Sequence, residues 1–331
     1  MTYFKKIHVA LTLLLITSIS SAYGDYDQWS GYGAREDCFS CQEDCFCCQP
    51  ECCGNGFISA ELLYWRAFEN GLDTCVPTEV SDVITSDGTV ISRFTGKSRD
   101  PHFKWDPGFR IGAGYQSACS CWDTAVFWTH FHSHAHSSNH GLDIQNKTRW
   151  NINLDVIDYV LGYDCDLCSC LALRPFVGIR GARIEQKLHV DEFSIESIET
   201  GLIALERHNK ERFFGVGPLL GFEADWNIGC NFSIYGSAAI SWLYGSFHVK
   251  LRNSDVFIGG ADFSKIKKHL HDSLAGADAA LGVRWHTCIC TNKVLVLQAG
   301  LEHHRYFDYN RFGTYGDLSF DGVNFSAGIQ Y

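Results

Sequence analysis

The residues best suited to chemistry form a run of cysteines near the N-terminus. Residues 38–53 read CFSCQEDCFCCQPECC, so seven of these sixteen positions carry a thiol. Such C-x-x-C spacings suit zinc, iron–sulfur clusters and disulfide bonds alike. The run predicts either metal binding or covalent cross-linking, and the compartment in which the chain folds must decide between them.

The first 24 residues predict that compartment. Lys5 and Lys6 precede an apolar run at residues 7–19, and small residues follow at 20–24. This is the order of a secretory signal, and the apolar run is too short to cross about 30 Å of hydrocarbon. We expect residues 1–24 to be a signal peptide. Its removal takes two lysines, so the formal net charge of −11 becomes −13.

An exported chain with sixteen cysteines folds where disulfides form and persist. This favours disulfide chemistry over a cytosolic zinc or iron–sulfur site. The acidic charge and the lack of a basic stripe argue against a nucleic-acid partner. The sequence has no P-loop, GxGxxG, H-E-x-x-H or catalytic-triad pattern, so we expect neither an enzyme nor a bound cofactor.

A second cluster consists of histidines in residues 128–140, which read WTHFHSHAHSSNH. Because alternate residues of a strand share a face, His130, His132 and His134 are candidate ligands for Zn²⁺ or Cu²⁺. The alternative is a strand end and outer loop that titrate with pH and bind no metal.

The elements that carry these residues read as strands. Phe109, Ile111 and Tyr115 face one way, while Arg110 and Gln116 face the other. Similar alternation occupies residues 150–156, 214–226, 232–244 and 320–331. An apolar face with aromatic ends, opposite a face of glycine, asparagine and charge, is typical of a transmembrane β-strand.

A soluble β-sandwich alternates too and is the alternative architecture. The polar faces favour a barrel, because they hold many glycines and charges of both signs, as a crowded interior would. Tyr115, Trp226, Trp242 and Tyr244 fall near strand ends, where the aromatic girdle of a membrane barrel lies.

The pattern predicts ten strands with alternating long and short connections, as in an outer-membrane barrel. They cover residues 56–68, 103–117, 122–133, 147–163, 172–188, 211–227, 231–249, 273–287, 293–307 and 319–331. The expected fold is all-β: a transmembrane antiparallel up-and-down β-barrel at 56–331 in the cell outer membrane, after a cysteine-rich periplasmic segment at 25–55. Twelve strands follow if residues 189–210 contain another hairpin; a short helix at Ile198–Arg207 is the other interpretation.

The barrel interior should be lined by the less apolar face of each strand. The candidates are Glu61, Arg110, Asn151, Asn153, Asp155, Arg174, Arg180, Glu223, Asp225, Asp278, Arg284 and Glu302. Side chains fill barrels of about eight strands, whereas sixteen or more leave a channel. Ten strands are therefore compatible with an open and with a closed interior.

The predicted strands place every cysteine except Cys75 on the periplasmic side. The disulfide candidates are Cys38, Cys41, Cys45, Cys47, Cys48, Cys52 and Cys53 in the run, and Cys119, Cys121, Cys165, Cys168, Cys170, Cys230, Cys288 and Cys290 in the short turns. Adjacent cysteines rarely bond to each other, because a disulfide needs Cα atoms some 4.4–6.8 Å apart with facing side chains. Three interpretations follow: a disulfide-bonded plug, handles that cross-link neighbouring molecules, and periplasmic metal storage.

Three stretches resemble a known family. GFISAELLYWRA at 56–67, FKWDPGFRIGAGY at 103–115 and WTHFH at 128–132 are similar to Legionella-type major outer membrane proteins, a family that extends to cysteine-rich, porin-like proteins of Chlamydia-like bacteria. The similarity runs from about Gly56 to Tyr331. It implies an outer-membrane barrel that acts as porin and adhesin in an envelope stiffened by disulfides. The cysteine run departs from the Legionella members and fits the chlamydial side better.

Two classes of function follow. The first is porin-like passive diffusion of small solutes, combined with disulfide cross-linking of the cell envelope. The alternative is a purely structural cysteine-rich envelope protein, or an adhesin, with a closed barrel. Both imply outer-membrane lipid as a partner, and other cysteine-rich envelope proteins or further copies of the chain as disulfide partners.

Overall fold

The computed structural model describes residues 55–72, 74–84, 90–99, 101, 103–117, 121–140, 144–168, 170–194, 202–257, 260–290, 293–312 and 316–331. The predicted signal peptide and the cysteine run at 38–53 lie outside these residues. Among the described residues, no helix has the length and apolar character needed to cross a membrane.

Thirteen strands account for almost all of this part of the chain. They are β1 (Asn55–Glu69), β2 (Thr74–Ile84), β3 (Val90–Arg99), β4 (Trp105–Gln116), β5 (Trp122–His140), β6 (Ile144–Tyr163), β7 (Cys165–Cys168), β8 (Leu171–Ser194), β9 (Leu202–Gly229), β10 (Phe232–Phe257), β11 (Gly260–Cys290), β12 (Lys293–Tyr306) and β13 (Leu318–Gln330).

Ten of the strands close into one antiparallel barrel. The hydrogen-bonded order is β6-β5-β4-β1-β13-β12-β11-β10-β9-β8, and pairing of β6 with β8 completes the ring. The prediction of a ten-stranded up-and-down barrel is confirmed. The remaining elements are a separate β2–β3 hairpin in the first long connection and the short β7, which pairs with the start of β8.

The short turns and both ends of the barrel sequence lie at one edge, called here the short-turn edge. Gly56 and Tyr331 exchange backbone hydrogen bonds of 2.8 and 2.9 Å there. Between β9 and β10, Cys230 and Asn231 have φ values of 52° and 63°, the left-handed conformation that two-residue hairpin turns require. In outer-membrane barrels the short turns face the periplasm.

The strands at the opposite edge are longer than the sequence pattern predicts. β9, β10 and β11 have 28, 26 and 31 residues, whereas about 9–11 residues suffice to cross a bilayer. The predicted long connections at 189–210 and 250–272 are therefore largely continuations of barrel strands. The alternative of a helix at Ile198–Arg207 is wrong for 202–207, which belong to β9, and that segment adds no pair of barrel strands.

The outer surface divides into an apolar band and a polar zone. On β10, Ile240, Trp242 and Tyr244 point outward with 61, 57 and 64% of their surface exposed. Beyond them the outward residues are His248 and Lys250, both exposed. An apolar belt that ends in aromatic residues is the lipid-facing surface of a membrane barrel.

The polar zone of the outer surface lies between the apolar band and the edge opposite the short turns. Glu185 of β8 lies there beside Lys210 and Arg212 of β9, at 2.6 and 3.0 Å. Although burial raises the pKa of Glu185, these two cations lower it to about 2. Such an ion cluster on the outer wall indicates an aqueous surrounding, because lipid would penalise it.

The interior follows the opposite order. Toward the short-turn edge, where the outside is apolar, the interior holds most of its charged side chains; toward the opposite edge, where the outside is polar, the interior is an apolar core. On β6, Ile157, Tyr159 and Leu161 point outward near the short-turn edge, whereas Trp150 and Ile152 further along point inward and are fully buried. The core is thus displaced toward the opposite edge.

Candidate functional site

An apolar layer crosses the barrel interior from the upper part of the lipid-facing band, where Leu243 lies between Trp242 and Tyr244, to the polar zone beyond it, and we call it the closure layer. Its members come from nine of the ten barrel strands, β4 being the exception. The largest fully buried side chains include Trp65, Trp150, Phe131, Phe213, Phe247 and Phe320. Phe213 and Phe247 are neighbours on β9 and β10 with ring centroids 4.6 Å apart, whereas Phe131 of β5 and Phe320 of β13, 5.6 Å apart, join strands that do not pair with each other.

Two connections fold into the closure layer from above. Leu72 follows β1, and Tyr309 follows β12; both are buried in the same core. The Tyr309 hydroxyl donates a 3.3 Å hydrogen bond to the carbonyl of Ile184, and its ring centroid lies 6.2 Å from that of Phe247. These contacts place side chains from the connections where a pore would need to be open.

A polar bridge runs through the same layer. Gln186 is fully buried, and its amide nitrogen donates to Glu69 at 2.8 Å and to Glu211 at 3.0 Å. The indole nitrogen of Trp150 also donates to Glu69, at 3.1 Å. The bridge joins β1, β8 and β9 directly and β6 through the tryptophan.

A polar chamber of about 730 Å³ lies between the closure layer and the short-turn edge. Its walls carry eight carboxylates and four guanidinium groups, so acidic side chains outnumber arginines. Asp164 and Gln330 line it near the short-turn edge, and Glu302 and His304 line its deep end. The charged groups share the chamber walls with a smaller apolar cluster that includes Val160 and Leu219.

Arg110 of β4 occupies the deep end of the chamber. It donates to Glu61 of β1 at 2.8 Å and to the two oxygens of Glu302 at 2.9 and 3.2 Å. Its Nε donates to Thr129 at 3.0 Å, and Asn324 donates to Glu302 at 2.9 Å. Bidentate guanidinium–carboxylate contacts of this kind are strong and geometrically specific.

A second guanidinium group, that of Arg180 on β8, reaches across the interior. It donates to both oxygens of Asp158 on β6, at 2.7 and 2.8 Å, and to Asp278 on β11. His304 lies 2.8 Å from Asp278 and 3.2 Å from Glu302. The imidazole therefore links the Arg180 group to the Arg110 group.

Two further arginines complete the network nearer the short-turn edge. Arg284 contacts Glu223 and Asp225 of β9. Arg174 contacts Asp123, lies 3.6 Å from Glu223 and lies 3.9 Å from Asp164. All four chamber arginines thus have at least two carboxylate partners.

Most of the predicted interior residues line this chamber. They are Glu61, Arg110, Arg174, Arg180, Glu223, Asp225, Asp278, Arg284 and Glu302. The pattern missed Asp123, Asp158 and His304, because β5 and β6 carry apolar residues on both faces and because neighbouring His303 faces outward.

Asp155 does not line the chamber, and neither does Asn151 or Asn153. Asp155 lies on the outer wall, where its carboxylate is 2.7 Å from the ring of His130. The placement of these three residues in the interior is corrected for a physical reason. This part of β6 lies beyond the lipid-facing band, so its polar face meets water and its apolar face meets the closure layer.

The three candidate metal ligands on β5 also lie on the outer wall, and each has its own neighbour. His130 contacts Asp155, His132 lies 2.6 Å from Asn153, and His134 lies 3.9 Å from Asp106. Among the described residues, the ligand atoms of these three histidines do not converge on a shared position, because each ring turns toward its own neighbour. The described residues hold a different ligand group, treated below.

The described cysteines gather at the short-turn edge, apart from Cys75 on β2. Cys121, Cys165 and Cys288 are thiols, the first exposed and the other two half-buried. Cys170 and Cys230 are each disulfide-bonded. Cys168 and Cys290 end β7 and β11 at the same edge. Cys119 and the seven cysteines of the run lie outside the described residues.

A closed ten-stranded antiparallel barrel with an apolar belt outside and a charged interior is an outer-membrane β-barrel protein. The chain belongs to the family described as the Legionella pneumophila major outer membrane protein precursor, whose model matches residues 50–328. The protein therefore resides in the outer membrane, with its apolar belt in lipid.

Solved outer-membrane proteins also match at low identity. The outer membrane protease OmpT from Escherichia coli is 12% identical, with a TM-score of 0.42, over 84% of this chain and 96% of that chain. Neisserial surface protein A is 13% identical, with a TM-score of 0.29, over 83% and 95%. Ail of Yersinia pestis is 13% identical, with a TM-score of 0.24, over 84% and 99%. At these scores the matches carry no argument. No curated protein matches by sequence.

Proposed function

We propose that the protein is a structural component of the outer membrane: a closed barrel, without enzymatic activity, that disulfides fasten to neighbouring envelope proteins. The observation that carries the proposal is the closure layer, to which nine of the ten strands contribute. A packed layer of apolar side chains gives an ion no substitute for its hydration shell. The interior therefore serves stability better than it serves transport.

The cysteines would form the disulfide bonds to neighbouring envelope proteins. Cys121 and Cys165 are thiols at the short-turn edge, and the run at 38–53 precedes β1, which begins at that edge. Thiols on several turns of one edge can reach different partners, whereas adjacent cysteines in the run are poorly placed to bond to each other. Thiol–disulfide exchange would then couple cross-linking to the redox state of the periplasm.

The test is electrophoresis of envelopes whose thiols are alkylated at lysis. We expect complexes of high mass that collapse to monomer on reduction. Replacing the seven cysteines of the run by serine should release monomer and leave the barrel folded, as shown by different migration of unboiled and boiled protein. Cys75→Ser, at the other end of the barrel, is the matched control and should leave the complexes intact.

Monomer with internal disulfides only, in wild-type envelopes, would contradict the fastening role and support a plug. Stoichiometric zinc together with unoxidised thiols would instead support metal storage.

The polar chamber favours a second candidate, passive diffusion of small solutes. Its lining carries eight carboxylates and four guanidinium groups beside an apolar cluster that includes Val160 and Leu219, and transport would require the closure layer to open. Because the carboxylates outnumber the arginines, an open form should prefer cations. Neutralising Arg110 or Arg180 should increase the preference for cations in bilayer recordings. If the selectivity did not change, the chamber would not be part of the transport path.

A further inference from the structure

Four side chains that could act together lie on the outer wall beyond the lipid-facing band. His189 and Asp191 of β8 pair across the strands with His208 and Glu206 of β9, respectively. The two imidazole rings have centroids 3.8 Å apart, and all four side chains are partly exposed. The chamber and the cysteines lie elsewhere, so neither proposed function accounts for this group.

The hydrogen bonds of the two rings fix how they face each other. Nε2 of His189 lies 2.7 Å from Asp191, and Nε2 of His208 lies 2.6 Å from Glu206. Because a carboxylate only accepts hydrogen bonds, each Nε2 carries the proton. Both Nδ1 atoms then present lone pairs to each other across 2.5 Å. Two such lone pairs repel unless a cation lies between them, either a proton or a metal ion.

The surrounding groups favour a metal ion. Ligand atoms of His189, His208 and Glu206 all lie within 4.8 Å of one another. In a tetrahedral zinc site, bonds of 2.0–2.1 Å separate neighbouring ligands by about 3.3 Å, so binding requires the two rings to move apart and Glu206 to turn from Nε2 of His208 toward the ion. Asp191 would orient His189 in the manner of a carboxylate–histidine–zinc triad, and Arg149 holds Asp191 at 3.2 Å.

We propose that His189, His208 and Glu206 bind one divalent cation of the zinc or copper class on the outer wall, with Asp191 as a positioning residue. Imidazole and carboxylate ligands suit Zn²⁺ and Cu²⁺ alike, and Cu²⁺ binds the same donors more tightly than Zn²⁺. No function is assigned to the ion beyond joining the exposed ends of β8 and β9.

The chain contains a matched control. His248 of β10 and His269 of β11 also pair across strands, with ring centroids 4.3 Å apart. Next along the same face, however, lie Lys250 and Lys267 where the first pair has Asp191 and Glu206. The two histidine pairs have similar ring contacts and opposite charge surroundings.

The experiment titrates ZnCl₂ into full-length folded protein in detergent by calorimetry, after alkylation of the thiols so that the cysteines cannot bind the ion. We expect one site of micromolar affinity. His208→Gln and Asp191→Asn should weaken it at least about tenfold, since partners that orient a ligand are worth 10–100-fold in affinity. His269→Gln should leave it unchanged, and bound Cu²⁺ should show two nitrogen ligands by electron paramagnetic resonance.

Heat-modifiable migration in gels confirms that each variant is folded. Absence of zinc binding to the wild type would overturn the proposal and leave a shared proton between the rings. Equal losses in His208→Gln and His269→Gln would overturn it as well, because binding would then be non-specific.

Discussion

Asp155 and Asp158 lie three residues apart on β6 and point to opposite sides of the barrel wall. Asp158 accepts hydrogen bonds from Arg180 inside the chamber, whereas Asp155 contacts His130 on the outer surface. Each carboxylate has a hydrogen-bond partner on its own side of the wall, because the surroundings on both sides of the wall change between the two positions. On β6, the outside below this level is apolar and the inside holds Asp158; above it the outside is polar and the inside belongs to the closure layer.

This relationship predicts that two identical substitutions have different costs. Asp158→Asn removes charge from a nearly buried ion pair, whose side chains are 16 and 8% exposed, and should lower the free energy of unfolding by about 2 kcal/mol. Asp155→Asn, in a pair that is 35 and 38% exposed, should cost less than about 1 kcal/mol. Urea titration of the folded barrel in lipid vesicles measures both. A larger loss of unfolding free energy in Asp155→Asn than in Asp158→Asn would contradict this assignment of the two residues to the outer surface and the chamber.

Phe213 and Phe214 provide a second matched pair, in the closure layer and in the lipid-facing band. Phe213→Ala should leave a cavity in the core and cost about 3–5 kcal/mol in free energy of unfolding. Phe214→Ala, at a side chain 58% exposed, should cost less than about 1 kcal/mol because lipid fills the space. The same urea titration compares them, and equal costs would contradict a packed layer.

The barrel architecture could be predicted from the sequence because strands in the lipid-facing band must alternate between apolar residues outside and polar residues inside. β4 is apolar outside and polar inside over its predicted length, and β1 follows the same alternation as far as Glu61 before Leu63 and Trp65 point inward, so the pattern alone places Glu61 and Arg110 in the interior. β6 differs. Its apolar residues change from the even positions at 150–156 to the odd positions at 157–163, and alternation alone does not tell which of the two faces meets lipid.

The ion pairs of the chamber depend on contacts that no spacing reveals. Arg110 and Glu302 are distant in sequence and lie on β4 and β12, which do not pair. Their contact follows from the diameter of the closed barrel. The zinc-class group at His189 and His208 was missed for a similar reason, since those residues fall in a segment that the pattern assigned to a loop.

Loss of the guanidinium group at position 110 tests the network directly. Arg110→Ala leaves Glu61 and Glu302 buried together without the guanidinium group that contacts both and should cost about 3–5 kcal/mol in free energy of unfolding. Arg183→Ala is the control, because that side chain is 54% exposed and 3.6 Å from its carboxylate partner; it should cost less than about 1 kcal/mol. Equal small costs would mean that the chamber carboxylates are solvated.

The direction of the barrel in the membrane can be measured with its own thiols. Cys121 and Cys165 lie at the short-turn edge, which faces the periplasm in outer-membrane barrels. A membrane-impermeant maleimide should therefore label them in permeabilised cells and not in intact cells, as peptide mass spectrometry of each site will show. Labelling of Cys121 in intact cells would reverse the orientation.

Single-channel recording in planar lipid bilayers tests the central claim, that the closure layer shuts the barrel, most directly. The wild-type protein, with and without reductant, should give no steady conductance. Phe213→Ala together with Phe247→Ala should give openings, since it removes two rings whose centroids are 4.6 Å apart in that layer, and Phe214→Ala should give none. Stable, long-lived conductance of the wild type under both redox conditions would contradict the account and favour solute diffusion.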